Sequence, residues 1–232
     1  MNRKGLIGLA LLACTAAGMV YTAYAVPTIE NQAARSADAL SRELSASNGA
    51  NPILSAGSNP YDFIENSREY KRIVKLGPGA IPVLDKKIEQ SADSGLTVYA
   101  FAAAIEEISQ VDLKEKESTA WATGKEFARK WEFQLSTLPE KVEEISGSSR
   151  TVEEKNAALE KLGVPAVPFI LDRVAAGNTE LFPSAHKLIV HADPGTGILQ
   201  VTDAAKWAEK HKNEFNALKE YVLSKKQTAQ EA

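Results

Sequence analysis

The sequence predicts an all-α protein made of two copies of one four-helix unit. The segment LGPGAIPVL at 76–84 returns at 162–170 as LGVPAVPFI, an offset of 86 residues. A second set of positions recurs at an offset of 80, where Phe127, Trp131, Leu135, Leu138 and Val142 match Trp207, His211, Phe215, Leu218 and Val222. No segment has the pattern of a strand. Because repeated units bury their apolar faces against each other, we expect the copies to stack.

The first copy is predicted over residues 59–147. Asn59 is expected to cap its first helix, since an Asn side chain accepts hydrogen bonds from first-turn amides. Pro60 suits the first helical position, where its missing N–H is not needed. This helical segment should end at Gly77, because glycine adopts the left-handed capping conformation readily. The next helix has Pro82 in its first turn, where proline is tolerated.

Two further helices are expected to complete the first copy. Residues 96–108 are apolar nearly all round, which is typical of a helix buried at the centre of a domain. The charged segment 114–117 is predicted to be a solvated link. Ser118 should then cap a long helix that continues to Leu138 and is interrupted by Pro139.

The second copy is predicted over residues 151–224 and repeats the order of the first. Thr151 and Glu154 have the spacing of a capping box, which marks a helix start. This short helix should end at Gly163. The remaining helices are expected within 167–174, 181–190 and 202–224, and residues 225–232 are expected to be a polar tail.

Residues 1–25 have the features of a signal peptide. A basic start precedes the apolar stretch 6–20, and Ala23 and Ala25 are the small residues that a signal peptidase needs. Cleavage is therefore expected after Ala25.

Two alternatives for the N-terminus stay open. The sequence Leu-Leu-Ala-Cys ending at Cys14 is similar to the lipobox of bacterial lipoproteins, in which Cys14 would be lipidated, although Leu12 replaces the usual smaller residue. The apolar segment 6–26 is also long enough to remain as a transmembrane anchor. All of these alternatives place the rest of the chain outside the cytoplasmic membrane, either secreted or associated with its outer face.

Residues 26–58 are predicted to be a flexible lead-in to the folded body. The segment 29–44 could form one polar helix, and 45–58 is rich in Ser, Asn, Gly and Ala, which is typical of a tether.

Composition excludes several function classes. Cys14 is the only cysteine, so the chain after Ala25 has no disulfide, zinc-thiolate site or cysteine nucleophile. Arg3 and Lys4 lie in the N-terminal segment, so 25 of the 27 basic residues belong to the rest of the chain. Because all 30 acidic residues also lie there, its net charge is about −5. This charge argues against a nucleic-acid partner. It also provides no basic patch for anionic lipid, so membrane contact is expected only through the N-terminal segment.

The repeated Leu-Gly-x-x-Ala-(Ile or Val)-Pro phrase resembles the helix-to-helix junction of HEAT-type repeats. A longer stretch also resembles a secreted module of Gram-positive bacteria, found alone or attached to membrane sensor proteins. The residues that carry this resemblance lie within about 59–145 and are Asn59-Pro60-Tyr61-Asp62, Tyr70, Ile73-Val74, Leu76-Gly77, Ala80-Ile81-Pro82 and Ala104-Ile105-Glu106-Glu107-Ile108. The resemblance implies a HEAT-like solenoid outside the membrane and suggests a sensing or envelope role. It supplies no catalytic residues.

One group of side chains has metal-ligand chemistry. His186, His191 and Asp193 offer imidazole and carboxylate ligands of the kind that zinc or nickel accepts. The i, i+5 spacing of the two histidines, however, does not place them on one helix face. The loop 191–197, which contains glycine and threonine, is an alternative binding loop but lacks the spacing of a phosphate loop. An interhelical turn is the simpler interpretation.

Two further groups of side chains are candidates for a functional site. Glu106 and Glu107 are paired carboxylates, but adjacent helical residues point about 100° apart, so we expect one to reach solvent and the other to bond a neighbouring helix end. The tryptophans offer a surface for ligand stacking, but their spacing favours core packing. They are Trp121, Trp131 and Trp207.

No catalytic residue and no cofactor is therefore predicted. The expected function is non-enzymatic binding or scaffolding, with a protein partner in the cell envelope. The alternatives are a ligand-sensing accessory of a membrane sensor, and a metal-binding protein or hydrolase that uses His186, His191 and Asp193.

Overall fold

The computed structural model describes residues 28–50, 59–92, 95–115, 117–192 and 203–231. Within these ranges the secondary structure is helical and no strand occurs, which confirms the all-α prediction. The first half contains α1 (Ile29–Ala50), α2 (Pro60–Ile64), α3 (Arg68–Lys75), α4 (Ile81–Gln90), α5 (Leu96–Ser109), α6 (Gly124–Ser136) and α7 (Leu138–Gly147). The second half contains α8 (Val152–Glu160), α9 (Val167–Ala175), α10 (Phe182–Ala192), α11 (Ala204–His211) and α12 (Asn216–Glu231).

The two junction phrases adopt the same backbone conformation. Gly77 has φ 67° and Gly163 has φ 75°, so both use the left-handed region that favours glycine. A short 3-10 turn leads into the next helix in each half, over Gly77–Ala80 and over Val164–Ala166. It ends at Ala80 with φ −81°, ψ −23° and at Ala166 with φ −79°, ψ −20°. The recurrence of the sequence phrase is therefore matched by a recurrence of local structure.

Helix α5 lies at the centre of the first half, as its sequence predicts. It packs against α4, α3, α6 and α1, and most of its side chains are buried. Trp121 and Trp131 are also in the core, with 5% and 0% of their surfaces exposed, which confirms the packing interpretation for these two tryptophans. Trp207 is only half-buried, against Phe182 and His211. Its contribution to the core is therefore smaller.

Helix α1 departs from the predicted lead-in. It packs against α3, α4 and α5, and it buries Ala33, Ala37, Leu40 and Leu44. Their i, i+4, i+7, i+11 spacing forms one narrow apolar stripe on a helix that is otherwise polar, which is why the overall composition suggested a solvated segment. The folded body therefore begins at α1 rather than at residue 59. The predicted tether falls largely on 51–58, which lie outside the described residues.

The predicted long helices are both divided. Thr123 rather than Ser118 caps α6, through a reciprocal capping box with Glu126. Helix α6 ends at Ser136, and α7 starts at Leu138 with proline in its first turn. In the second half, the 3-10 turn Lys212–Phe215 separates α11 from α12. At the 80-residue offset, the break in the second half corresponds to residues 132–135 and thus falls a little earlier than the break in the first half.

The C-terminal segment is part of the folded body and not a free tail. Helix α12 continues to Glu231, packs along α6 and also contacts α9. Lys225 and Lys226 pair with carboxylates on α4 and α7, which explains why the helix extends beyond residue 224. The expected polar tail at 225–232 is therefore wrong over 225–231.

The two halves also meet closely at Gly163. A Cβ atom at this position would lie 2.4 Å from the Ser109 carbonyl oxygen and 2.4 Å from Val111 Cγ2. The side-chain amide of Gln110 donates to the Leu188 carbonyl at 3.1 Å. Glycine is thus required here both for its positive φ and for the close approach of the end of α5.

The signal-peptide prediction for 1–25, cleavage after Ala25 and lipidation at Cys14 fall outside the described residues. Among the residues that are described, no helix combines the length and apolar character that crossing a membrane requires.

Candidate functional site

A cleft of about 420 Å³ lies beside the C-terminal end of α5. We call it the α5 cleft. It is bordered by α2, by α3 and by the loop 110–123 that connects α5 to α6. The residues that give it chemical character are Tyr61, Tyr70, Glu106, Glu107, Asp112 and Lys114. It therefore combines aromatic and acidic groups with one lysine.

Glu106 holds the connecting loop in place. Its Oε1 accepts hydrogen bonds from the Leu113 backbone amide at 3.0 Å and from Trp121 Nε1 at 2.9 Å. Burial raises the pKa of this carboxyl, and the two donated hydrogen bonds oppose that rise. Glu106 thus has a structural role, but its partners lie in the connecting loop and not at the end of a neighbouring helix, as the sequence predicted.

Glu107 is on the exposed side of α5 but also has a protein partner. Its Oε2 accepts a hydrogen bond from the buried Tyr70 hydroxyl at 2.8 Å. Burial, and then the bond to Glu107, raise the pKa of Tyr70 well above its usual range. The expectation that one glutamate only reaches solvent is therefore incomplete. The two carboxylates bond different elements and do not act on a common point.

Lys114 makes the most unusual contacts in the α5 cleft. Its Nζ lies 3.9 Å from the ring centroid of Trp121, 4.7 Å from that of Tyr99 and 5.3 Å from that of Tyr61. Nζ also donates to the Tyr99 hydroxyl at 2.8 Å and to the Tyr61 hydroxyl at 3.4 Å. We call these three rings, from Tyr61, Tyr99 and Trp121, the aromatic cage.

The ammonium form of Lys114 is favoured in this cage. Burial lowers the pKa of Lys114, but the hydrogen bonds with Tyr99 and Tyr61 outweigh it, and the net pKa is raised. Lys114 is not among the residues that the sequence predicts as functional, because it lies in the charged segment 114–117, which is typical of a solvated link. No local pattern brings together residues 61, 99, 114 and 121, which belong to two helices and one loop.

The predicted histidine group is only partly described. His186 lies on α10 and packs against Phe182 at 5.5 Å between ring centroids, and its Nε2 is buried with no hydrogen-bond partner in the described part of the chain. His191 is in the last turn of α10, while Asp193 and the rest of the loop up to 197 lie outside the described residues. Over the ranges described, no group of three or more metal-binding side chains is found.

A second polar cluster joins α4, α6 and α12 inside the core. Asp85 Oδ2 accepts from the Tyr221 hydroxyl at 2.8 Å and lies 2.6 Å from Lys225 Nζ. The Tyr221 hydroxyl in turn accepts from Trp131 Nε1 at 2.9 Å. Burial raises the pKa of Asp85, and the neighbouring Lys225 ammonium opposes that rise. Because these groups are satisfied within the protein, the cluster is structural rather than a binding site.

No protein-family model matches the chain, and no curated protein or solved structure shows significant similarity to it.

Proposed function

We propose that this protein is a non-enzymatic binding protein of the cell envelope, built from HEAT-like helices and acting outside the cytoplasmic membrane. The location is supported by the signal-like segment 1–25. The fold is supported by the two junctions with matching conformation at Gly77 and Gly163. We further propose that the partner is an envelope protein, and that it contacts the surface around the α5 cleft.

The observation that supports a binding role is the hydrogen bonding of the acidic groups in the α5 cleft. Glu106 and Glu107 would be the natural acid–base pair of an enzyme, yet each accepts hydrogen bonds from a different neighbouring element. The cleft presents two side chains to a partner. Tyr61 forms an aromatic rim on the surface, and Lys114 lines the cleft with it. Aromatic groups of this kind are enriched in binding interfaces.

Site-specific photocrosslinking in intact cells tests this proposal. A photoreactive phenylalanine analogue replaces Tyr61, which is 41% exposed at the cleft, or Val152, which is 44% exposed on α8. The two positions are matched in exposure but lie in different halves of the chain. We expect Tyr61 to give a discrete crosslinked envelope protein and Val152 to give none. Equal products from both positions, or none from Tyr61, would contradict the proposal.

A ligand-sensing accessory of a membrane sensor is a second candidate. The volume of about 420 Å³ favours it, because a cleft of this size accepts a small molecule. A metal-binding or hydrolytic role is a third candidate, favoured by the unpartnered Nε2 of His186. Metal retained through purification and lost in the His186→Ala, His191→Ala double variant would support that third role.

A further inference from the structure

We propose that the aromatic cage of the α5 cleft is a binding site for an alkylammonium group, and that Lys114 is its internal occupant when no ligand is bound. This inference rests on the proposed binding function and names the ligand chemistry of the same site.

The arrangement of the three rings fits a cation. The Tyr61 and Tyr99 rings meet edge to face, with centroids 5.7 Å apart and an interplanar angle of 84°. Tyr99 and Trp121 follow at 4.9 Å and 48°. The Lys114 ammonium thus lies between the Trp121 ring and the hydroxyl ends of Tyr99 and Tyr61. The Trp121 ring attracts an ammonium because ring faces carry negative electrostatic potential, and each tyrosine hydroxyl accepts a hydrogen bond from it.

The charge of the cleft also selects a cation over an anion. Three carboxylates line it, on Glu106, Glu107 and Asp112, against the single ammonium of Lys114. An anion would meet this net negative potential, whereas a cation is attracted by it. The carboxylates and the cage therefore favour the same class of ligand.

Lys114 is placed so that a ligand can displace it. Its side chain lines the cleft together with Tyr61, while Tyr99 and Trp121 contact the ammonium from the protein side. It comes from a loop rather than a helix, and within the described residues its ammonium makes no ion pair closer than 4.0 Å. Its partners are neutral hydroxyls and rings, so the exchange of one ammonium for another leaves no buried charge unpaired.

A tethered occupant competes with the free ligand. A group attached by a short flexible linker acts at an effective concentration on the order of millimolar, so Lys114 should weaken the apparent affinity of an external ammonium. Removal of the lysine ammonium should therefore strengthen ligand binding, by roughly tenfold for a ligand that binds the open cage in the 0.1 mM range. A site that needs Lys114 as a ligand would show the opposite change.

Titration calorimetry with n-butylammonium chloride tests the inference on the purified protein. The probe has the chain and the N–H donors of the lysine side chain, and it is compared with 1-butanol, which has the same chain but no charge. We expect wild type to bind butylammonium only, Lys114→Met to bind it about tenfold more tightly, and Tyr61→Leu to lose most binding. Lys161→Ala, an exposed lysine on the second half, is the matched control and should behave as wild type.

The outcomes separate the inference from its alternatives. Equal binding of butylammonium and 1-butanol, or weaker binding of butylammonium in Lys114→Met, would overturn it. Methionine keeps the packing of the lysine stem, so Lys114→Met should fold normally. An unchanged melting curve checks this. If Lys114→Met does not fold, Tyr61→Leu provides the second test. A lysine-containing peptide, titrated in parallel, distinguishes a partner's lysine from a free small cation. Partner crosslinking at Tyr61 without ammonium binding would leave the proposed function intact and refute only this inference.

Discussion

Replacement of Lys225 by methionine tests whether the C-terminal helix is anchored by a buried charge. The Lys225 and Asp85 side chains are 12% and 2% exposed, and Nζ lies 2.6 Å from Oδ2. Methionine fills the space of the lysine stem and removes only the ammonium. The Asp85 carboxylate then stays in the core with the Tyr221 hydroxyl as a remaining partner. Lys225 also pairs with Glu89, whose side chain is 47% exposed, so the substitution leaves Asp85 as the buried carboxylate without an opposite charge.

The expected loss of stability is large because the pair is buried. At an effective dielectric constant near 20, two charges 2.6 Å apart attract by about 6 kcal/mol. Desolvation of both ions offsets most of this attraction in the intact protein, so the pair adds little net stability. Removal of one partner leaves the other desolvated, and the usual cost is about 3–5 kcal/mol. For a domain of this size that corresponds to a fall in Tm of roughly 6–20 °C.

Lys226→Met provides a matched control one residue along the same helix. Lys226 pairs with Glu140, and their side chains are 29% and 57% exposed, so loss of this pair should cost less than about 1 kcal/mol. Urea unfolding of both variants measures the difference. The Asp85→Asn, Lys225→Met double variant removes both charges and should recover most of the lost stability. If Lys225→Met unfolds at the same urea concentration as Lys226→Met, the anchoring argument is refuted.

The pH dependence of the same variant gives an independent check. Burial raises the pKa of Asp85, and loss of the Lys225 ammonium should raise it further. A carboxyl with a folded pKa above its unfolded value stabilises the protein as it becomes protonated. The deficit of Lys225→Met relative to wild type should therefore shrink as the pH falls from about 8 to about 5. A deficit that grows on acidification would contradict the assignment of Asp85 as the uncompensated group.

Three further predictions concern the core, the repeat junction and the N-terminus. Trp131→Ala should reduce the free energy of unfolding by about 3–5 kcal/mol, measured by urea titration, because the side chain is fully buried. Gly163→Ala should lower Tm far more than Gly177→Ala, since both have positive φ but only Gly163 has atoms within 4 Å of the new Cβ. Mass spectrometry of the mature protein should find Val26 at its N-terminus, whereas fatty-acid labelling that disappears in Cys14→Ser would show lipidation instead.

The parts of the fold that the sequence predicts are those encoded by local signals. The junction at Gly77 and Gly163 combines a positive φ with a proline in the next helical turn, and both features depend on a few adjacent residues. The all-α class follows equally from helical periodicity. The start of α6 also has a local signal that was overlooked. Thr123 and Glu126 have the same capping-box spacing as Thr151 and Glu154, whereas Ser118 is followed three residues later by Trp121.

What the sequence did not predict depends on contacts between distant segments. Lys225 meets Asp85 across a separation of 140 residues, and Lys114 meets Tyr61 across 53. Both lysines lie in charged stretches, which are typical of solvated surface. A helix over 29–44 was predicted, but its packing into the core was missed for a related reason. Its four small or medium apolar residues on one face are diluted by the polar residues around them. In each case the deciding information is which elements pack together.

Lys225 and Lys114 are both partly buried, but they differ in what their removal leaves behind. This difference distinguishes a structural anchor from a ligand site. Lys225 neutralises a carboxylate that has almost no access to water, so nothing but another cation held at that position can replace it. Lys114 is held by neutral rings and hydroxyls at the edge of an open cleft, and these groups lose little when the ammonium leaves. The first lysine is therefore fixed by the fold, whereas the second occupies a position that an external ammonium can take.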